Sequence, residues 1–232
     1  MTSLLLKIIA IIAMFCDHLS YALPQRVVLL NAIGRIAFPI FAFSIAQGYI
    51  HTRSLKRYFI RLVIFAVVSQ LPFMLLMKMA GAGFRLNIFV TLILGLSAIM
   101  VYDKVQPRLL GIALSLIIAL LGDIFYTDYG AWGVLLILFM YVLTEYKNAG
   151  GDASIYALSF ASVFAFMVLY MYSFSLDRGL HYLGYAIALI ILLLYNGKPA
   201  YNMRLFKSMK FVFYAFYPAH LVVLYLLHLV IK

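Results

Sequence analysis

Long apolar runs separated by short polar ones repeat along the whole chain. The first reads "LLLKIIAIIAMFCDHLSYAL" over 4–23, and eight more follow at 31–50, 59–79, 86–102, 108–123, 129–145, 153–175, 179–196 and 210–230. An α-helix rises about 1.5 Å per residue, so about 20 residues cross a hydrocarbon layer of about 30 Å. The pattern therefore predicts an all-α, polytopic membrane protein with about nine transmembrane helices. The fifth run is short, which fits a tilted or partly interfacial helix. The longest polar connections are 51–58, 146–152 and 197–209. None has the length or polarity of a soluble module, and no internal repeat of the transporter kind is visible. One membrane domain over 1–232 is expected.

Composition strengthens this picture. The 232 residues are 67% hydrophobic and 11% charged, and the mean hydropathy is +1.08. Soluble domains carry about 25% charged residues. Too much apolar surface is present for a small core to hide, so lipid must act as solvent. The net charge is +11, which raises the question of nucleic acid. Distribution argues against it, because the cations gather between apolar runs, as in "HTRSLKRYFIR" (51–61) and "KPAYNMRLFKSMK" (198–210). Clusters of this kind hold loops on the cytoplasmic side and contact anionic lipid, or they line a pocket for a phosphorylated cofactor. Placing the N-terminus inside puts 12 of the 18 Lys and Arg residues on the cytoplasmic side and 5 on the other. That asymmetry predicts N-in, C-out. A cleaved signal peptide is an alternative for the first run, but "YALPQR" is a poor cleavage site. The run is expected to remain as a helix. The lone cysteine, Cys16, excludes an internal disulfide.

Charges inside the apolar runs carry the chemistry. A charge at bilayer depth costs roughly 2.5–3.5 kcal/mol on insertion scales, so such groups face a cavity or a partner. Lys7 and His18 are 11 residues apart. That is three turns plus about 20°, so they share one helix face about 16 Å apart. Lys7 lies at the cytoplasmic mouth and His18 past the midplane. Histidine is a natural general base. Asp17 is rotated about 100° from His18; it either accepts a hydrogen bond from His18 or pairs with Arg35 of the second run. That run, "NAIGRIAFPIFAFSIAQGYIHTR", contains Gly34, which allows close approach, and Pro39, which opens a kink. Further polar positions recur toward the outer side. They are Asn87 and Thr91, one turn apart, and Asp123 and Asp128 ahead of the sixth run. Pro218 and His220 sit within the last run. His51, His181 and His228 read as interfacial residues at helix ends. No HxxxH or HxxE spacing points to a metal, and no serine elbow, P-loop or dinucleotide glycine pattern is present.

The run "LKIIAIIAMFCDHLSYALP…IGRIAFPIFAFSIAQGYIHTRSLKRYFIRL" resembles the TraX family of integral membrane proteins, named for the protein that acetylates the N-terminal amino group of F-type pilin. The shared features are Lys7, Asp17–His18, Gly34–Arg35, Phe38–Pro39–Ile40–Phe41 and His51–Thr52–Arg53. Weaker anchors are Leu71–Pro72–Phe73, Asn87 with Thr91, Asp128–Tyr129–Gly130 with Gly133, Phe213–Tyr214, and Tyr217–Pro218 with His220. The match covers most of the chain and is most specific over 5–61. TraX-like proteins in turn resemble the wider transmembrane acyltransferase group, including acyltransferase-3 proteins, whose first helix carries Arg-x10-His. Here the spacing is kept as Lys7-x10-His18, and lysine offers a point charge in place of a bidentate fork.

The resemblance implies a membrane-embedded acyltransferase in a bacterial cytoplasmic membrane. Acetyl-CoA or another acyl-CoA would be the donor, held by Lys7, Arg53, Lys56, Arg57 and Arg61, with no metal. His18 would be the general base, Asp17 would orient it, Arg35 or Asn87 would stabilise the oxyanion, and His220 would be a second base or acceptor-site residue. Asn87, Thr91, Asp128 and Tyr129 would meet the acceptor on the outer side. That acceptor is a pilin-like protein or other peptide, a glycan or a lipid, offering an amine or hydroxyl. A homodimer is compatible with the chain. Two readings from other classes use the same residues: a small proton-coupled transporter or flippase, and a non-catalytic scaffold in an envelope assembly.

Overall fold

The computed structural model describes residues 1–172, 179–195 and 203–231. Arg178, Lys198 and Lys232, which enter the charge asymmetry, lie outside the described residues, as do the ends of the seventh and eighth apolar runs. The described chain forms α1 (Ser3–Ala22), α2 (Val28–Gly34), α3 (Ala37–His51), α4 (Leu55–Met79), α5 (Ile88–Lys104), α6 (Arg108–Ile124), α7 (Gly130–Asn148), α8 (Ala153–Tyr172), α9 (Gly179–Leu193) and α10 (Met203–Ile231). Each apolar run corresponds to one helix, except that the second is split between α2 and α3. No strand occurs among the described residues. Among the described residues, five segments are long and apolar enough to cross a membrane: Ser3–Ala22, Val28–His51, Leu55–Met79, Gly130–Asn148 and Val212–Ile231.

The break in the second run has a local cause. Pro39 has no N–H to give the carbonyl four residues back, which is that of Arg35. The helix therefore tightens at its end, with Arg35 N–H bonded to the Asn31 and Ala32 carbonyls and Ile36 N–H to Ile33. It restarts at Ala37, where proline sits in the first turn and its missing donor costs nothing.

The chain forms two compact units, Met1–Phe41 with Asp152–Lys232, and Ala42–Gly151. In the first, α1 packs on α2 and α10, α2 on α9, and α8 on α9. The buried stripe of α1 is Leu6, Ala10, Ala13, Met14 and His18, while Leu5, Ile8 and Ile12 face outward. This is the helical period of an element with one packed face and one face in lipid. Three contacts give the sense of α10 against α1. The Lys7 ammonium lies 5.8 Å from the Phe213 ring centroid, His18 meets His220, and His228 Nδ1 donates to the Ala22 carbonyl at 2.9 Å. Residue numbers rise together on both helices, so they run parallel. The His228 bond also satisfies one of the carbonyls left open at the end of α1.

Gly184 sets the approach of α9 to α2. A Cβ there would overlap the Ala32 carbonyl oxygen and come within 2.9 Å of Arg35 Cβ. A backbone carbonyl cannot swing aside as a side chain can. Gly184→Val is expected to lower the melting temperature in detergent by several degrees, consistent with roughly 1–3 kcal/mol for overpacking. Unchanged melting would show that α9 has slack against α2.

In the second unit, α5, α6 and α7 pack around Ala98, Ala119 and Val134, and α4 lies on α5. Small residues at these crossings let helices approach closely, as in lipid-embedded bundles. The outward faces are apolar, including Val67, Leu71, Leu109 and Leu120, as lipid requires. The connections before α5 and α7 are zipped together, Leu86 N–H to the Tyr126 carbonyl at 3.0 Å and Asp128 N–H to the Leu86 carbonyl at 2.9 Å.

Candidate functional site

Five of the residues singled out in the sequence, Lys7, Asp17, His18, Arg35 and His220, belong to the first unit. Four of these form two adjoining polar groups. On α1, His18 and Asp17 are consecutive, so their side chains leave the helix about 100° apart and meet different neighbours. His18 faces α10; its Nδ1 lies 2.7 Å from His220 Nε2. His220 Nδ1 lies 2.8 Å from the carbonyl of Phe216, one turn earlier on α10. Both imidazoles are buried, at 7% and 4% exposure. Tyr217 presents its ring edge-on to both, with centroids 5.9 Å from His18 and 5.6 Å from His220. Phe15 and Phe216 complete the wall around His220.

Asp17 faces α2. Its carboxylate accepts two bonds from Arg35 Nη2, at 2.7 and 2.9 Å, and one from Asn31 Nδ2 at 3.0 Å. Asn31 Oδ1 in turn accepts from Ser20 Oγ at 3.0 Å. Gly34 makes room, since a Cβ there would collide with the Asp17 side chain. Of the two partners the sequence offered Asp17, the structure therefore selects Arg35. Asp17 makes no hydrogen bond to His18, which corrects the expectation that the acid directly orients the base. The reason is the turn of about 100° between adjacent helical residues. Arg35 is also engaged, through Nη2 with Asp17 and through Nε with the Asn31 carbonyl at 3.3 Å, so it is built as a partner for the acid.

Lys7 stands at the other end of the α1 face, over Phe213. The cationic run Arg53, Lys56, Arg57 and Arg61 belongs to the second unit, around the start of α4. Ser54 caps that helix, its Oγ accepting from Arg57 N–H at 3.4 Å. Arg53, Arg57 and Lys56 lie toward the surface, and the Arg61 guanidinium sits over the Tyr58 ring. No acidic residue lies in the first turn. Positive side chains at the positive end of a helix dipole repel it unless an anion is near.

Asn87, Thr91, Asp128 and Tyr129 belong to the second unit. Asn87 is fully buried and caps α5, its Oδ1 accepting from Phe89 N–H at 3.0 Å. Its amide donates to the Ala66 carbonyl at 2.7 Å and Gln70 Oε1 at 2.8 Å. Both amide hydrogens are used within the protein, and the side chain serves as a helix cap. Thr91 is buried on the same helix. Asp128 and Tyr129 lie half-buried where α7 begins. Asp123 caps that helix, its Oδ1 accepting from Ala131 N–H at 2.9 Å.

Three groupings were not anticipated from the sequence. Asn31 lies one helical turn before Arg35, so the shared face was a usable signal for it. The pairing of His18 with His220, from opposite ends of the chain, had none. In the second unit Asp103 accepts from Tyr49 Oη at 2.6 Å and Tyr141 Oη at 2.9 Å, tying α3, α5 and α7 together.

These features define an α-helical membrane protein whose buried polar groups gather as a histidine pair and an acid–arginine pair. The family described as TraX protein matches residues 3–228, and the chain belongs to that family. A curated relative from Dichelobacter nodosus, described as probable fimbrial assembly protein FimC of serogroup H1, is 28% identical over 235 residues, spanning 94% of this chain and 92% of the relative. No solved structure matches.

Proposed function

We propose that this protein is a membrane-embedded acyltransferase that moves an acyl group, acetyl in the simplest case, from acyl-CoA to an amine or hydroxyl presented on the extracytoplasmic side of a bacterial cytoplasmic membrane. The observation that carries the reading is His18, a base-type side chain buried in a membrane-crossing helix and sharing one helix face with Lys7. Membership of the TraX family supports it. The fimbrial assembly description of the relative favours a pilin-like subunit as acceptor over a glycan or lipid.

In this scheme the N-terminus is cytoplasmic and the chain crosses the membrane about nine times. Lys7, and separately the cations Arg53, Lys56, Arg57 and Arg61, are the contacts proposed for the phosphates of the donor. His18 takes the proton of the acceptor amine or hydroxyl as that atom attacks the thioester carbonyl carbon. The C–S bond breaks, the sulfur leaves as thiolate, and the proton held by His18 neutralises it. The products are the acylated acceptor and free CoA thiol. The wider likeness to acyltransferase-3 proteins, with Lys7-x10-His18 standing for Arg-x10-His, agrees with this division between a cationic entrance and an interior base.

The direct test is incubation of the purified protein with labelled acetyl-CoA and a pilin-type peptide, reading thiol release and acetylated peptide by mass spectrometry. Flux that depends on a proton gradient, with no acyl-CoA consumed, would instead support the transporter reading. Charge reversal at Arg57 is expected to raise KM for acyl-CoA about tenfold or more, equivalent to about 1.4 kcal/mol, with KM for the acceptor nearly constant. An unchanged donor KM would remove the cationic run from the docking role.

A further inference from the structure

We infer that His220 is the positioning residue that fixes His18 in the tautomer needed of a base, through a relay anchored at the Phe216 backbone carbonyl. The inference rests on the reading of His18 as the base. It follows from counting hydrogens. A carbonyl oxygen can only accept, so the 2.8 Å contact with Phe216 requires the hydrogen of His220 to be on Nδ1. A neutral imidazole with Nδ1–H carries a lone pair on Nε2. The 2.7 Å bond to His18 then needs its hydrogen from the other side, from His18 Nδ1. His18 is left with its lone pair on Nε2, a nitrogen that no group among the described residues hydrogen-bonds.

The ring geometry agrees with a true N–H···N bond. The two imidazoles are within 15° of parallel and their centroids are 5.0 Å apart. That separation exceeds the 2.7 Å distance between the nitrogens by about one ring diameter, so the line between the nitrogens runs through both rings in nearly a common plane. This is the approach along which an imidazole lone pair points, and it differs from face-to-face stacking. The relay also has a fixed foundation. Phe216 and His220 are one turn apart on α10, so the carbonyl and the ring lie in successive turns of one helix. Phe15, Phe216 and Tyr217 wall the pair from water, so no solvent donor competes for His220 Nε2.

The consequence for catalysis is a histidine in the place an acid holds in acid–histidine pairs. When His18 Nε2 takes a proton from the acceptor, His18 becomes an imidazolium, and its Nδ1–H bond to neutral His220 becomes charge-assisted and stronger. His220 holds the ring and favours the charged form without itself touching substrate. The role that the sequence assigned to Asp17 is thereby filled from the other end of the chain.

The tautomer is read by nitrogen-15 NMR of protein labelled at histidine ring nitrogens, in lipid nanodiscs, with His18 assigned by the spectrum of His18→Ala. His18 should show a protonated Nδ1 and an unprotonated Nε2, with a scalar coupling across the bond to His220. A His18 ring protonated at Nε2 in the native protein overturns the relay and leaves the acyltransferase reading untouched. Kinetics supplies the second arm. His220→Leu should lower kcat by roughly 100-fold with donor KM unchanged, within the range of general-base effects. His220→Gln, whose Oε1 can accept from His18 Nδ1–H, should recover most of the loss. Equal loss in both variants, each melting like the native protein, would refute the positioning role. Absence of acyl transfer in the native protein, with the tautomer as expected, would overturn the acyltransferase reading and keep the relay.

Discussion

Replacing His18 with alanine is expected to reduce acyl transfer by about 10²- to 10⁴-fold, the range that general-base catalysis supplies, while the chain still inserts in the membrane. The expectation rests on position. His18 lies in the packed stripe of α1, 7% exposed, with Nδ1 engaged by His220. The other histidines of the first unit are placed for other contacts. His220 keeps its ring bonded to Phe216, His228 is bonded at the end of α1, and His181 lies on α9, which packs on α2. The substitution also leaves His220 Nε2 without its donor, a cost of about 1–3 kcal/mol for a buried polar atom. Membrane content and melting must therefore be measured beside activity. Turnover near the native rate in a well-folded His18→Ala protein would remove His18 from the chemistry and leave the scaffold and transporter readings to be tested.

Breaking the Asp17–Arg35 pair should produce the largest loss of stability. The pair is 2.7 Å long, with 18% of the Arg35 and 13% of the Asp17 side chain exposed. Arg35→Met leaves the Asp17 carboxylate with Asn31 alone and no counter-charge. Removing one partner of a buried pair costs about 3–5 kcal/mol. The double variant Asp17→Leu, Arg35→Met removes both charges and should be clearly more stable than Arg35→Met alone, because replacing the whole pair by apolar residues is often neutral. Thermal unfolding in detergent decides it. Equal stability of the single and double variants would mean that the pair contributes little and that α1 and α2 are held by packing alone. Gly34 offers an independent check. Gly34→Val places its side chain in the space of the Asp17 carboxylate and should mimic the broken pair without changing charge.

Much of the architecture was legible because membrane helices announce themselves. A run of about 20 apolar residues has few alternatives in lipid, and each of the nine runs corresponds to a helix or, for the second, to α2 with α3. Proline gave the place of the break, since Pro39 deprives Arg35 of a helical donor. Local capping was less legible. Asn87 caps α5, and nothing in a one-turn Asn–Thr spacing announces that role. Asp17 was undecided in the sequence between two neighbours, the adjacent His18 and the more distant Arg35 of the next run. Helix geometry favoured the distant one.

The sequence by itself determined the helices, the membrane-crossing character, the place of each charged group along its helix and the shared face of Lys7 and His18. These depend on spacing within one segment, where a rise of about 1.5 Å and a turn of about 100° per residue fix relative positions. Tertiary structure alone decided which faces meet. It set α10 parallel to α1, brought His220 to His18, and turned Asp17 toward Arg35 and Asn31. In lipid the outward face of a helix is as apolar as the packed one, so apolar pattern does not reveal the partner. Small residues and polar contacts make that choice, and they become readable only once the helices are placed side by side.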